Sequence, residues 1–479
     1  MGKKNTRKKA VVVGGGLGGL ATAALLAREG FSVTVYEKTL SLGGRAVCKK
    51  VAGYWLDSGF HSLRAAHRGP AAIVLKKLGK RIEFATKYSD GVIPKTYHNG
   101  RLVDSPLSIR QLLLRYPLLT FMQKIRMMIL IHKIKTIPLE KLDQMTIAQL
   151  LHATNISDQT IMAHIKQMIA IAYYCEPDLE KISAGELARY LAEWPYDVGF
   201  PKGGWKQIID KLQEAILKNS GIIRTGKEVK GVLITNELGG AERGTSETNF
   251  GRAKGIVFHD GSKEEADIII LNTPLKEIKN LVGETYISQK LSSLVDKGIE
   301  TSAGIVIDVA LNTEVIEGKP DSIITLDPCI IFRVNSKYDS SIAPSTCHLL
   351  SAWMPIDNTR VKEKDYINCK FEELEHNMHK IFSLADHGSG TARIIRKMVF
   401  ENAIGFYPSP LMTRSRRPSV LIPTVRNLFL VGDAVNAVGI GGTSDIAFSS
   451  AIECHDAILR DRIGWRPNAG IEDKTFDGQ

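Results

Sequence analysis

The run Val11-Val12-Val13-Gly14-Gly15-Gly16-Leu17-Gly18-Gly19-Leu20 constrains this chain more than any other stretch. An apolar strand-like run stops at a glycine, the spacing G-x-G-x-x-G falls on Gly14, Gly16 and Gly19, and an Ala/Leu-rich helical stretch follows. Each glycine has its own task in a turn that holds a dinucleotide. Gly14 permits the tight bend, Gly16 lets backbone approach a pyrophosphate, and Gly19 lets helix pack on strand. Leu17 and Gly18 complete the turn, and free N–H groups at the helix start face the phosphates. Phe31-Ser32-Val33-Thr34-Val35-Tyr36-Glu37 reads as a second strand ending in an acid placed to accept from ribose hydroxyls, with Lys38 beside it. A glycine-rich turn that binds nothing is the plainer alternative. Against it, strand, helix, second strand and acid all fall within the ~30 residues of a βαβ unit. The motif leaves NAD and FAD open and predicts an α/β fold with a Rossmann-like domain.

At 479 residues the chain exceeds one compact core, so two domains, interleaved in sequence, are expected. The formal net charge of +12 favours an acidic partner: nucleic acid, anionic lipid or an anionic substrate. No basic cluster alternates with aromatic residues, so lipid ranks above nucleic acid, and no nucleic-acid partner is expected. The cysteines (Cys48, Cys175, Cys329, Cys347, Cys369, Cys454) form no C-x-x-C pair. That predicts neither a disulfide framework nor a metal site, and suggests a reducing, cytoplasmic setting. The basic start, Met1 to Lys9, runs into the glycine turn rather than an apolar signal core. Met1-Gly2-Lys3-Lys4-Asn5-Thr6 fits the loose myristoylation pattern, although a plain basic tail is the simpler reading.

Further along, Leu42-Gly43-Gly44-Arg45 places a guanidinium where backbone approaches closely, which suits a phosphate contact. Asp57-Ser58-Gly59-Phe60-His61 ends another short strand. Gly59 suggests backbone beside a ring system, and His61 is a weak catalytic candidate whose alternative is an ordinary structural histidine. From Arg64 to Trp194 the pattern reads as helical. Within it, Leu107 to Ile137 mixes apolar residues with Arg110, Arg115, Lys124, Arg126, Lys133 and Lys135, and contains no acid. It lacks the 18-residue apolar run of a membrane span, so it is expected to lie on an anionic membrane surface or to form a buried helix pair. Phe200-Pro201-Lys202-Gly203-Gly204-Trp205 opens a helix with Trp205, Ile208, Ile209, Leu212 and Ile216 on one face. Strand-like runs follow at Gly221 to Arg224, Val229 to Thr235 and Ala253 to His259, with Asp260-Gly261 turning into Ala266 to Leu271. The polar stretch Asn236 to Gly251 reads as a loop. A sheet is expected from Thr301 to Ser351 and a polar helix from Lys362 to Leu384. Finally, Leu430-Val431-Gly432-Asp433 puts a carboxylate at a strand's carboxyl edge, where open α/β sheets bind ligands. Gly441 and Gly442 then open a helix whose dipole suits the pyrimidine end of a flavin.

These blocks, with Lys202-Gly203-Gly204 and Lys227-Glu228-Val229, together resemble the FAD-dependent amine oxidase and phytoene desaturase superfamily over most of the chain. The resemblance implies a Rossmann-like FAD-binding domain from residues 1–66, 200–290 and 398–479, interleaved with an α+β substrate domain from 67–199 and 291–397. It implies that Glu37 holds the ribose, Arg45 the phosphates, Val229 the adenine region through backbone, and Asp433 the ribityl chain. Gly44, Gly59, Gly432, Gly441 and Gly442 would line the flavin. With no cysteine near Gly405-Phe406-Tyr407, the FAD is expected to be non-covalent. Within the superfamily the Phe-Pro-Lys-Gly-Gly-Trp block is most similar to carotenoid desaturases and isomerases. One departure is Asp57-Ser58-Gly59-Phe60-His61, where those enzymes often carry Asp-Ala-Gly-Pro-Thr, and it weighs against phytoene itself. The expected activity is desaturation, isomerisation or saturation of an apolar polyprenoid, in peripheral contact with an anionic membrane. The alternative is an amine or protoporphyrinogen-type oxidase, for which Phe406 and Tyr407 are available as an aromatic cage, although an aromatic pair near a sheet is more often core. A non-enzymatic prenyl carrier, as in GDP dissociation inhibitors, ranks last because it has no use for an intact flavin site.

Overall fold

A computed structural model describes residues 7–59, 62–194, 197–236, 251–312, 318–384, 391–439 and 444–462. The glycine turn lies at the centre of a five-stranded parallel sheet. Its strands, in spatial order, are Ile222–Thr225, β2 (Ser32–Glu37), β1 (Lys9–Val13), Ile268–Leu271 and Leu428–Leu430. Strands buried on both faces read as continuous apolar runs, as Val11-Val12-Val13 and Ile268–Leu271 do. Because every strand is parallel, Val13, Glu37, Thr225, Leu271 and Leu430 all end at one edge. Between β1 and β2 runs α1 (Leu17–Arg28), fully buried from Leu17 to Ala27 and packed against the helices Trp205–Lys218 and Ser444–Arg462.

A second sheet pairs Val229–Asn236 with Gly251–Phe258, antiparallel. Here the structure corrects the sequence reading. The turn at Asp260-Gly261 leads into Lys263–Glu265, not into Ile268–Leu271, which joins the parallel sheet instead. Three polar residues suffice as a partner because backbone pairing, not side-chain burial, closes this hairpin.

The third sheet has seven strands, in the order Ala392–Ile404, Ser302–Asn312, Cys347–Ile356, Ile331–Val334, Ser322–Thr325, Lys95–His98 and Arg101–Asp104. Its outer face packs on Leu374, Met378 and Phe382 of the helix Lys364–Phe382, each worth about 1.5–3 kcal/mol of burial. The expectation of an all-helical stretch from Arg64 to Trp194 does not hold. Phe84–Lys87, Lys95–His98 and Arg101–Asp104 are strands, each too short to show a period. Two of them pair outside this stretch, with Val198–Pro201 and Ser322–Thr325. The Leu107 to Ile137 segment is two helices, Ile109–Leu114 and Phe121–Thr136. Among the described residues no helix is long and apolar enough to cross a membrane.

Candidate functional site

The carboxyl edge of the parallel sheet gathers most of the sequence-predicted residues. Gly14 has φ +102°, and a Cβ there would lie 2.3 Å from the Asn272 carbonyl oxygen. A Cβ on Gly19 would lie 2.2 Å from the Gly14 carbonyl oxygen, so α1 approaches β1 only because residue 19 has no side chain. No side chain caps Gly16 at the start of α1, and its first turn carries no acid. The Gly15 N–H donates to Glu37 Oε2 at 2.7 Å, and the Thr39 N–H and hydroxyl donate to Oε1 at 2.8 Å. Glu37 is thus a fixed, buried carboxylate at the end of β2. Lys38 beside it is exposed, and Leu17 is buried under the turn.

The second glycine pair packs directly on the first loop. Gly43 (φ +105°) donates its N–H to the Gly15 carbonyl at 2.8 Å, and Gly44 (φ +58°) would carry a Cβ 3.3 Å from the Gly16 Cα. Arg45 then reaches across to Asp433, 2.5 Å away. The structure pairs these two, predicted separately for phosphate and ribityl contacts, with each other. The other oxygen of Asp433 accepts from the Gly405 N–H at 2.9 Å, and the Gly432 N–H donates to Ser450 Oγ at 2.9 Å. The segment leading to Val229 is tied to the same place, because the Lys227 N–H donates to the Glu37 carbonyl at 3.0 Å. The Ser58 N–H donates to the Val47 carbonyl at 2.9 Å, and a Cβ on the next residue, Gly59, would meet no atom within 4 Å. His61, Gly441 and Gly442 lie outside the described residues.

Asn272 escaped the sequence reading, although it directly follows a buried strand. Its side-chain amide donates to the Gly14 carbonyl at 3.3 Å. The space left by Gly16, Gly18, Gly19 and Gly432 converges on it, with built Cβ positions 2.7–3.2 Å from its amide atoms. Arg417 was also missed. It is 3% exposed, sits 4.3 Å over the Phe406 ring and donates to the Asp433 carbonyl at 3.4 Å. Phe406 and Tyr407 are core residues, not an open cage; the Tyr407 hydroxyl donates to the Glu176 carbonyl at 2.9 Å.

Residues 17–459 match the sequence profile described as flavin-containing amine oxidoreductase. The chain belongs to that family. This flavin oxidoreductase is 22% identical, over 350 residues, to the 4,4'-diaponeurosporene oxygenase of Staphylococcus haemolyticus, a match covering 64% of this chain and 63% of that one. It is 52% identical over 52 residues to the zeta-carotene-forming phytoene desaturase of Myxococcus xanthus, covering 11% and 10% of the two chains. An oxidoreductase from Methanosarcina mazei superposes with TM-score 0.72 at 22% identity, covering 94% of this chain and all of that one. Cyclohexylamine oxidase from Brevibacterium oxydans gives 0.68 at 15%, covering 96% and 100%. The architecture is therefore an FAD-binding α/β fold with a substrate domain. The glycine turn and the buried Glu37 fit the dinucleotide half of a flavin cofactor.

The flavoenzyme also holds a buried titratable group that spacing did not single out. Asp445, in the first turn of Ser444–Arg462, is 3% exposed. Burial pushes its carboxyl up to about 7, with Arg64 drawing it down and Glu193 pushing it further up. In the unfolded chain this carboxyl ionises near 4, so the folded state binds the extra proton between about pH 4 and 7. Stability contributed by this proton is present at low pH and is lost as pH rises through 7, by about 4 kcal/mol in all. Asp445→Asn should therefore raise the melting temperature more at pH 8 than at pH 5. An equal shift at both values would contradict a carboxyl held neutral by burial.

Proposed function

We propose that the enzyme oxidises carbon–carbon bonds of an apolar polyprenoid, desaturation foremost, using non-covalently bound FAD at the surface of an anionic membrane. One observation carries this reading. On the inner face of the seven-stranded sheet, Ile324, Ile331, Trp353, Val306 and Met398 are direct cross-strand neighbours and form one apolar row. Ile171 and Tyr174, from the end of the helix Gln159–Tyr173, lie against it. Several of these are only partly buried although they face inward, as expected of the lining of a cleft for a long apolar chain. Two-electron oxidation is the chemistry that flavin supplies when bound. The protein's part is to hold the chain, exclude water and orient the cofactor. In this reading Gly14, Gly16, Leu17, Gly18 and Gly19 cradle the pyrophosphate, Glu37 the ribose and Val229 the adenine region. Arg45 and Asp433 hold the phosphate–ribityl bend.

The staphylococcal and myxococcal relatives, named for carotenoid substrates, support the same class. Against an amine site, the ring face of Phe406 is already taken by Arg417. Incubating the holoenzyme with phytoene and recording the absorption of the extracted polyene tests the proposal. Desaturation lengthens the conjugated system and moves absorption to longer wavelength, whereas recovery of unchanged substrate would argue for another substrate class.

The helix Phe121–Thr136 supports the membrane part. It buries Met127, Leu130, Ile131 and Ile134, yet leaves Phe121 76%, Met122 59%, Met128 45% and Ile129 48% exposed. Helical spacing puts those four in one outward stripe, with Lys124 and Lys135 along one border and Arg126 and Lys133 along the other. Replacing these four cations by Gln should release the protein from anionic liposomes. With the melting temperature monitored because Arg126 also lies 3.7 Å from Asp158, unchanged co-sedimentation would count against the membrane contact.

A further inference from the structure

The apolar row has a charged neighbour. Two residues along the same strands and on the same face, the next row reads Ser322, Arg333, Ser351, Asp308, Arg396. At one side of it Arg333 is 6% exposed, with its guanidinium 4.8 Å over the Phe200 ring and 5.7 Å from that of Tyr338. It hydrogen-bonds the hydroxyl of Tyr88, a phenol whose ionisation is pushed up by burial and drawn back by Arg333 and Arg64. Arg64, 8% exposed, comes in from a different strand and donates to the carbonyls of Ile171 and Ala172 at 3.0 and 3.3 Å. Arginine stays charged at any working pH, so two positive charges are built into the interior beside an apolar row.

A second, independent observation marks the same place. Tyr174 ends its helix with φ +46° and ψ +40°, the left-handed region, which costs a non-glycine residue free energy. This conformation holds its ring edge-on to Trp353 of the apolar row, with centroids 5.9 Å apart, and within electrostatic reach of Tyr88.

We infer that Arg333, with Arg64 and the Tyr88 hydroxyl, grips a carboxylate at one end of an otherwise apolar substrate lying along Ile331 and Trp353. The inference rests on the polyprenoid reading for the apolar part of the ligand. Guanidinium presents paired N–H donors matched to carboxylate oxygens, and the phenol adds a third donor in an interior of low dielectric. The net charge of +12 fits an anionic substrate at long range.

Retinoic acid and retinol test it, because they share an apolar polyene and differ only in the end group. Titrated into the holoenzyme and read by perturbation of the flavin absorption spectrum, the acid should bind about tenfold or more tightly than the alcohol. Arg333→Met should erase that preference while leaving retinol affinity in place, and Arg333→Lys should keep part of it. Should Arg333→Met fail to fold, Tyr88→Phe serves instead and should lower the preference several-fold. Equal binding of acid and alcohol by the native protein, or a preference that survives Arg333→Met, overturns the inference. Neither retinoid has to be oxidised for this readout. A protein that prefers the acid yet oxidises neither phytoene nor a carboxylated polyene would refute the polyprenoid chemistry and leave the carboxylate site standing.

Discussion

Gly19→Ala should yield a protein that melts several degrees lower and purifies without flavin. The added Cβ would sit 2.2 Å from the Gly14 carbonyl oxygen, and its next contacts are the Asn272 side-chain atoms at 3.0 and 3.1 Å. The nearest obstacle is backbone, so neither a rotamer change nor a small side-chain shift relieves it. Overpacking of this kind costs about 1–3 kcal/mol or more. Relief requires α1 to move away from β1, which carries the first-turn N–H groups away from the pyrophosphate position. Flavin loss should therefore exceed what the stability change alone predicts. The ratio of flavin to protein absorbance, read beside a thermal melt, checks this. Full flavin content with an unchanged melt would show that the turn tolerates a wider approach than its geometry implies.

Glu37→Ala should leave a folded protein whose FAD affinity falls at least a hundredfold. Charged hydrogen bonds contribute about 1.5–3 kcal/mol each, and loss of two to the ribose gives that factor. The substitution also strips acceptors from the Gly15 N–H and the Thr39 N–H and hydroxyl, which hold the turn in its binding shape. Glu37→Gln keeps one acceptor oxygen and should fall between the two. Fluorescence titration of the apoprotein with FAD measures all three. Equal affinity for Glu37→Ala and the native protein would remove Glu37 from the site.

These two residues are also where the sequence was most informative, for a physical reason. The glycine spacing, the apolar run and the terminal acid are local requirements of one βαβ turn, so they are written within a few residues of each other. The same holds for Gly43-Gly44-Arg45 and Gly432-Asp433, whose positive φ angles demand glycine. Long-range partners leave no such trace. Asn272 is one amide after a strand until the fold brings four glycines around it. Arg333 becomes notable only when Ser322–Thr325 and Cys347–Ile356 flank its strand and Phe200 arrives beneath it. Ala392–Ile404 was not foreseen as a strand. It borders the sheet, its charged residues alternate irregularly, and pairing with Ser302–Asn312 decides its state. Phe406 and Tyr407 show the value of the plainer reading: an aromatic pair near a sheet is more often core than cage, and both serve the core beneath Asp433.

The most direct test of the central claim is the oxidised flavin absorption band of the holoenzyme, followed without oxygen after mixing with phytoene in liposomes. The polyprenoid account predicts bleaching of that band, with a more unsaturated polyene recovered in equal amount. A band that phytoene leaves unchanged but that a simple primary amine bleaches would contradict it, and would make this an amine oxidase in activity as well as in family.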